Sequence, residues 1–286
     1  MFLKYNYFDE QIEFLSSDDA LFHFTRKETA IEHILDKCSL RLGGFSMTND
    51  PQEYKPKQTA ATGWRWEARH SSQIDELTGL IDELLWKDIK FISFCQNEFI
   101  DKNLVSHSIL KSRMWSQYGD NHSGICIVIS KSKLLAQLQE QYGETHIINA
   151  RNVSYDEPNL KSKIHGLDVA TPELDNTSNH NIALNHIKVH LQPLLFNKQP
   201  DYKDENEFRV VLTLMRPQVK TDFIFVDLIK CINSIVLGDA FPEVYKPTML
   251  DLAKRLGVPC QKLSWESDTY LLFDWTNMYD PVPSTI

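Results

Sequence analysis

Two acidic residues stand just before an apolar run that is typical of a β-strand. Glu205 and Glu207 lie in residues 201–214, which continue into valines and leucines. A strand places alternate residues on one face, so the pattern predicts that Glu205, Glu207 and Arg209 point the same way. Carboxylates about 7 Å apart on one face repel each other unless a cation, a ligand or water lies in front of them. The segment predicts either a reactive acidic pair or a solvated strand start with a structural ion pair to Arg209.

A polar pair interrupts an aromatic pattern near the start of the chain. In residues 21–26, alternation places His23 and Thr25 on one face of a predicted strand and Phe22 and Phe24 on the other. Such a pair could line a ligand pocket. The alternative is a histidine whose ring bonds a nearby backbone carbonyl.

Two further segments contain polar side chains that predict a ligand site less specifically. Asn49 or Asp50 can close an Asx turn before Pro51. Trp115 and Tyr118 share a face of a short predicted helix, a spacing that favours core packing. Since that helix ends at Gly119, the alternative places Tyr118 at an edge where its ring faces a ligand.

Composition and missing motifs exclude several classes of protein. The 286 residues carry 30 basic and 39 acidic side chains, and the net charge of −9 disfavours passive binding to nucleic acid. The sequence lacks Gly-x-Gly-x-x-Gly, phosphate-loop and Gly-x-Ser-x-Gly motifs. His186 and His190 are four apart on a predicted helix but lack the Glu of a His-Glu-x-x-His motif, so no metal site is expected. Five scattered cysteines, no secretion signal and no long apolar run predict a cytoplasmic protein that does not enter a membrane.

Strand and helix patterns mix without a repeat, which predicts one α+β domain over residues 1–286. Strands are predicted at 21–26, 40–45, 91–95, 125–129, 223–226, 234–237 and 261–264, and helices at 29–38, 74–86, 182–196 and 244–256. The polar stretch 155–180 contains two prolines. It predicts a long loop or mobile insertion over about residues 156–181.

The order of the short motifs resembles a bacterial family, domain of unknown function 2971 (DUF2971). The motifs are Phe-His-Phe-Thr, Leu-Arg-Leu before Thr-Asn-Asp-Pro-x-Glu, Ile-Ser-Phe, Met-Trp-x-x-Tyr before Gly-x-Cys-Ile, and Lys198 with Tyr202, Glu205, Glu207 and Arg209. They extend from about residue 21 to residue 237, and Tyr202 stands where that family is expected to favour tryptophan. The family is itself similar to the ADP-ribosyltransferase superfamily. That similarity implies a mixed, split β-sheet core with peripheral helices.

The resemblance also implies a role for each candidate residue. His23 is expected to bind the adenosine ribose of NAD, and Tyr118 to pack on the nicotinamide. Glu207 is expected to be the catalytic acid, with Glu205 beside it to orient the nucleophile. The remaining residues of the expected NAD site are Thr25, Arg41, Asn49, Asp50 and Arg209. Arg209 either binds the pyrophosphate or holds the two acids in place.

The expected function is therefore an enzyme that consumes NAD as a substrate and needs no metal. It would cleave the nicotinamide glycosidic bond and transfer ADP-ribose to a protein or nucleic acid, as a toxin or antiphage effector controlled by a neutralising partner or by self-association. Alternatives are an NAD glycohydrolase, a non-catalytic module that senses a nucleotide or partner, and a metal-dependent nuclease. The acceptor is not predicted, because acceptor choice lies in loops that vary freely on a shared scaffold.

Overall fold

The computed structural model describes residues 4–5, 9–48, 50, 53, 60–61, 68–156, 166–167, 169–215, 223–266 and 269–275. The strands in these ranges are β1 (Lys4–Tyr5), β2 (Ala20–Thr25), β3 (Ser39–Leu42), β4 (Ala60–Ala61), β5 (Lys90–Gln96), β6 (Glu98–Ile100), β7 (Asn103–Ser106), β8 (Ile125–Ser130), β9 (His146–Asn152), β10 (Gly166–Leu167), β11 (Glu207–Leu214), β12 (Ile224–Asp227), β13 (Ile232–Leu237), β14 (Cys260–Glu266) and β15 (Thr269–Asp274). Within the described chain, nine strands form a mixed sheet in the order β1-β15-β14-β13-β8-β2-β5-β11-β9. Pairs β4-β10, β3-β12 and β6-β7 form separate two-stranded sheets.

Helices cover both faces of the large sheet. They are α1 (Asp9–Leu15), α2 (Lys27–Thr29), α3 (Ser71–Glu83), α4 (Ser112–Gln117), α5 (Lys131–Tyr142), α6 (Thr171–Asn176), α7 (Asn179–Val189), α8 (Leu191–Leu195) and α9 (Lys246–Leu256). Two of them continue as π-helical segments, α2 into Ala30–Leu35 and α3 into Leu84–Asp88. The predicted mixed α+β class is confirmed at this level. In the described ranges, no helix combines the length and the apolar character that a membrane span requires.

Strand β11, which begins at the second of the two acids, Glu207, is buried on both faces. Phe208, Val210 and Leu212 of β11 pack into one hydrophobic cluster, whereas Val211 packs into a second cluster with α3, α7 and α8. Burial on both faces explains why this strand is a continuous apolar run rather than an alternating pattern. It also fixes the start of β11 rigidly.

The sheet divides between β2 and β5. These strands pair only at Leu21 with Gln96 and at Phe22 with Cys95. Farther along, β2 stays paired with β8, and β5 stays paired with β11. Gly43, after β3, then takes the edge of β5 through two backbone hydrogen bonds with Phe91 of 2.8 and 2.9 Å. The separation leaves a gap between two central strands.

Most predicted elements occur, with shifted ends, but the predicted loop over 156–181 is wrong in part. Helix α6 lies within it, and α7 begins at Asn179. Leu174 is buried among apolar residues, and Asp175 pairs with Arg69 and His70 at 3.0 Å. These long-range contacts stabilise helices that the polar composition conceals. Residues 157–165 and 168 of the predicted insertion lie outside the described residues.

Two other boundaries differ from the prediction for local reasons. The helix predicted over 182–196 is interrupted at His190, where ψ is 23°. Pro193 then lies in the first turn of α8, where a missing N–H is tolerated. The predicted strand 40–45 ends at Leu42, because Phe45–Met47 forms a 3₁₀ turn. The helix predicted to end at Gly257 does so, with φ of 66° at that glycine.

Gly124 offers a test of the tight packing beside the gap. A Cβ atom there would lie 2.4 Å from the Thr25 carbonyl oxygen and 2.7 Å from that of Gly119, so backbone must move. We expect Gly124→Ala to lower the free energy of unfolding by about 2 kcal/mol. Gly79→Ala, at an exposed position of α3 with no atom within 4 Å of the added carbon, should raise it by about 1 kcal/mol. Urea denaturation measures both, and equal stability of Gly124→Ala and wild type would contradict the packing.

Candidate functional site

A cavity of about 290 Å³ occupies the gap between β2 and β5. Its walls come from five parts of the chain: β2, β5, described residues between 47 and 53, α4 with the residue that follows it, and residues between 198 and 209. The lining residues are Phe22, His23, Phe24, Met47, Thr48, Asp50, Glu53, Phe91, Ile92, Ser93, Phe94, Cys95, Met114, Tyr118, Lys198, Tyr202, Glu205, Glu207 and Arg209.

The acidic pair enters the cavity from a turn rather than from one continuous strand. Glu205 ends the 3₁₀ helix Pro200–Glu205, Asn206 is left-handed with φ of 42°, and β11 begins at Glu207. Asparagine tolerates this conformation, and here its side-chain amide donates hydrogen bonds of 2.9 Å to the carbonyls of Gln96 and Asn97. The predicted strand alternation is therefore wrong at Glu205. The turn nevertheless brings Glu205, Glu207 and Arg209 to one cavity.

Lys198 lies between the two acids. Its Nζ is 2.6 Å from Glu205 Oε2 and 3.0 Å from Glu207 Oε2, and the side chain is 8% exposed. Burial acts to lower the pKa of Lys198, but the charges of Glu207 and Glu205 outweigh it and raise the pKa above its ordinary value. The lysine therefore stays protonated and neutralises part of the repulsion between the carboxylates.

Arg209 holds the acids in place, because each of its three guanidinium nitrogens contacts another part of the protein. Its Nε lies 2.6 Å from Glu207 Oε1, its Nη2 lies 2.7 Å from Glu53 Oε1, and its Nη1 donates to the Leu195 carbonyl at 2.8 Å. The guanidinium is 1% exposed and lies 4.8 Å from the Phe91 ring centroid. Of the two roles predicted for Arg209, the geometry favours the structural one.

Glu207 is ionised, although it is buried. Burial alone would raise its pKa, but Arg209 and Lys198 outweigh burial and lower the pKa to about 2. Ser93 donates a short hydrogen bond to Oε1 of the same carboxylate. Glu53 differs, because burial dominates there and raises its pKa. The cavity thus holds one carboxylate that is strongly stabilised in its charged form beside another that is not.

Tyr118 binds the first acid of the pair. Its hydroxyl donates to Glu205 Oε1 at 2.7 Å, while the ring lines the cavity. Trp115, one turn earlier on α4, is fully buried edge-to-face against Phe24. Trp115 therefore packs in the core, as its spacing predicted. Tyr118 lies at the edge of the cavity, as in the alternative prediction.

His23 lies on β2 and lines the cavity from the side of the gap opposite β5. Its ring makes a hydrogen bond to the Ser93 backbone and packs edge-to-face on Phe94, with ring centroids 5.8 Å apart. Burial lowers the pKa of His23 to about 4, so the ring is neutral at physiological pH. His23 thus combines the two predicted alternatives, because its ring is satisfied by backbone and also faces the cavity.

The other predicted NAD-site residues are distributed unevenly. Asp50 is buried and lines the cavity, whereas Thr25 is buried on β2 outside its lining. Arg41 also lies outside that lining. It is exposed on β3, and its guanidinium lies over the Phe223 ring, 5.5 Å from the centroid. Asn49 lies outside the described residues.

Sequence reasoning gave no role to several groups that shape the site. Lys198 belongs to the last of the short motifs, but its residue type and spacing predict no role for it. Ser93 lies within an apolar strand, and nothing in the sequence indicates its contact with Glu207. Tyr155, at the start of the predicted loop, accepts a hydrogen bond of 2.8 Å from the Glu207 backbone N–H through its hydroxyl. In the part of the chain that the structure describes, no group of three potential ligands could hold a metal ion.

Removing Lys198 tests the ionic network. Lys198→Met leaves two buried carboxylates without the cation between them, and we expect a loss of about 3–5 kcal/mol in the free energy of unfolding at pH 7. The matched control is Arg113→Met, because the Arg113–Asp204 pair is exposed and such pairs contribute about 1 kcal/mol or less. Equal losses in urea denaturation would contradict the network.

The lowered pKa of His23 predicts a pH dependence of stability. The unfolded ring binds a proton below its ordinary pKa of 6.5, whereas the folded ring binds it only near pH 4. The unfolded state therefore holds more protons between these values, and stability should fall by about 3 kcal/mol as pH drops through this window. His23→Gln removes this contribution, so unfolding curves of the variant should show a smaller decline. An unchanged decline would contradict the lowered pKa of His23.

Comparison with known proteins found one family match, and it covers the part of the site that contains Glu205 and Glu207. Residues 114–210 match the family described as "Protein of unknown function (DUF2971)". No curated protein and no solved structure matches the chain. The matched segment contains Tyr118, Lys198, Glu205, Glu207 and Arg209, and it supports the resemblance to DUF2971 over those residues.

Proposed function

We propose that this protein cleaves the nicotinamide glycosidic bond of NAD and transfers ADP-ribose to a macromolecular acceptor. One observation carries the proposal. A gap between two central strands brings His23 and Tyr118 to the same cavity as the buried acids Glu205 and Glu207. These are the residue types that the resemblance to ADP-ribosyltransferases requires in one place.

The state of Glu207 suits the charge that develops in this reaction. As the bond from the ribose carbon to nicotinamide breaks, its electron pair leaves on the pyridine nitrogen and positive charge builds on the ribose. A carboxylate with a pKa of about 2 is ionised at physiological pH, and Arg209 and Ser93 hold it in place. A fixed negative charge beside the ribose stabilises this transition state more than the ground state.

Glu205 is proposed to orient the acceptor. The acceptor oxygen or nitrogen forms a new bond to the ribose carbon and gives up its proton, which Glu205 accepts. Tyr118 and Lys198 fix the direction of this carboxylate. With water as the acceptor the same steps give an NAD glycohydrolase, so the two activities differ only in what reaches Glu205.

The size of the cavity limits how NAD fits. Ligand pockets commonly measure about 300–1,000 Å³. A cavity of about 290 Å³ matches the nicotinamide and its ribose rather than the whole dinucleotide. In this arrangement the adenosine half extends past the exposed Met47 side chain, and the contact of His23 with the adenosine ribose stays a prediction.

A non-catalytic sensor is the second candidate, and the hydrogen bonding of the acids favours it. Glu207 already meets Ser93, Arg209 and Lys198, while Glu205 meets Tyr118 and Lys198. Among the described residues, Oε2 of Glu207 has the ion pair with Lys198 but accepts no hydrogen bond, so a ligand hydroxyl would enter beside Lys198 at that oxygen. If none is replaced, the acids only shape a binding site.

Nicotinamide release separates the two candidates. Purified wild-type protein incubated with NAD and a cell extract should release nicotinamide, and Glu207→Gln should reduce the rate at least about 100-fold, since a transition-state contact is lost. Glu140→Gln, on the exposed face of α5, should keep the wild-type rate. Mass spectrometry of the extract then distinguishes transfer from hydrolysis.

Several outcomes would contradict the enzyme. No release by wild type with the extract supplied, or equal release by Glu207→Gln, would favour the sensor. Release that a chelator abolishes would favour metal chemistry instead. The toxin or antiphage role adds an expectation that induced wild-type protein arrests growth and Glu207→Gln does not.

A further inference from the structure

A second cavity, of about 670 Å³, borders the segment that carries the acids. Its lining shares no residue with that of the cavity between β2 and β5, although the two linings alternate along residues 202–207. Lys203, Asp204 and Asn206 line the second cavity, whereas Glu205, which lies among them in sequence, lines the first. The second cavity is therefore a separate space that is next to the acidic pair.

Hydrogen bonds hold the wall of the second cavity together. Nζ of Lys111 donates to the carbonyl oxygen of Asp204 at 2.8 Å, and Nη1 of Arg113 donates to the carbonyl oxygen of Asp201 at 2.8 Å. Nη1 of Arg113 also lies 3.4 Å from Oδ2 of Asp204. These contacts fix the start of α4 against residues 201–204, so two basic side chains are held in place beside the cavity.

The charges of this lining are only partly compensated. The carboxylate of Asp204 pairs with Arg113. Within the described chain, the ammonium groups of Lys111 and Lys203 form no ion pair, because Lys111 binds a backbone carbonyl and Lys203 has no partner. Glu98 is the other acid of the described lining, and it forms no ion pair there either. The cavity is thus locally positive, although the whole chain has a net charge of −9.

Tyr155 adds a hydrogen-bond donor to the same lining. Its hydroxyl accepts from the backbone N–H of Glu207 at 2.8 Å. Burial raises the pKa of Tyr155, so the hydroxyl keeps its proton. None of the described residues accepts that hydrogen, and a ligand oxygen in the cavity could do so.

We propose that the second cavity binds a small phosphorylated ligand. A phosphate group carries a charge of about −2 and has several acceptor oxygens, so one group can accept from two ammonium groups and a hydroxyl. Pockets for small ligands commonly measure about 300–1,000 Å³, and this cavity lies in that range. A long nucleic acid fits less well, because the net negative charge of the protein repels an extended polyanion. The inference does not depend on the proposed cleavage of NAD.

Binding of pyrophosphate to the full chain, measured by calorimetry, tests this site. Lys203→Gln should weaken binding about fivefold, because it removes one cation of the lining. Glu98→Gln should strengthen binding by a similar factor, because it removes a repelling carboxylate. Both side chains are exposed, so neither change should impair folding. The matched control is Lys188→Gln, an exposed cation of α7 outside the lining, which should keep the affinity within about twofold.

Three outcomes would overturn the inference. Pyrophosphate that does not bind, or that binds wild type and Lys203→Gln equally, would exclude the site. Equal weakening in Lys188→Gln would indicate attraction to the surface charge in general. Tighter binding of a short single-stranded oligonucleotide than of pyrophosphate, at about 0.15 M salt, would favour a nucleic acid over a small ligand. Nicotinamide release is measured without pyrophosphate, so success or failure of the proposed function leaves these results unchanged.

Discussion

The burial of acidic side chains against Lys198 and Arg209 is the constraint on which the site depends. A buried carboxylate without a partner is costly, so each acid lies where a cation can reach it. Arg209 contacts Glu207, Glu53 and the carbonyl of Leu195 and thereby joins β11, the segment after β3 and α8. The ionic network therefore fixes the relative positions of parts of the chain that are distant in sequence.

The division of the sheet explains why this network borders a cavity rather than a packed core. Backbone pairing between β2 and β5 stops after Phe22 and Cys95, and Gly43, which follows β3, bonds the edge of β5 only at Phe91. Between these points, the His23 ring makes a hydrogen bond across the gap to the Ser93 backbone. The strands on either side remain paired with β8 and β11, so the gap has rigid walls. Such walls hold the lining side chains in a fixed geometry, which the proposed electrostatic catalysis requires.

The ionic network stabilises the charged form of Glu207 and at the same time surrounds its carboxylate. Contacts from Ser93, Arg209 and Lys198 keep Glu207 ionised, yet they also occupy the oxygens that a ligand would use. Lys198 differs from the other two partners of Glu207. Its ammonium group also forms an ion pair with Glu205 and lies over the Tyr202 ring. A ligand that displaced this lysine would therefore disturb both acids.

Local elements could be predicted from the amino-acid pattern: apolar runs predicted β2, β5, β8 and β11, helical spacing predicted α3, and Gly257 marked the end of α9. The acids could be identified as well, because two carboxylates precede an apolar run. The path of Glu205 into the cavity through the turn at Asn206, and the position of Lys198 between the acids, follow from the folded arrangement alone. Hydrogen bonding along the backbone and apolar periodicity are short-range and leave a pattern in the sequence. Ion pairs and the gap between strands join distant residues, and they exist only once the chain has folded.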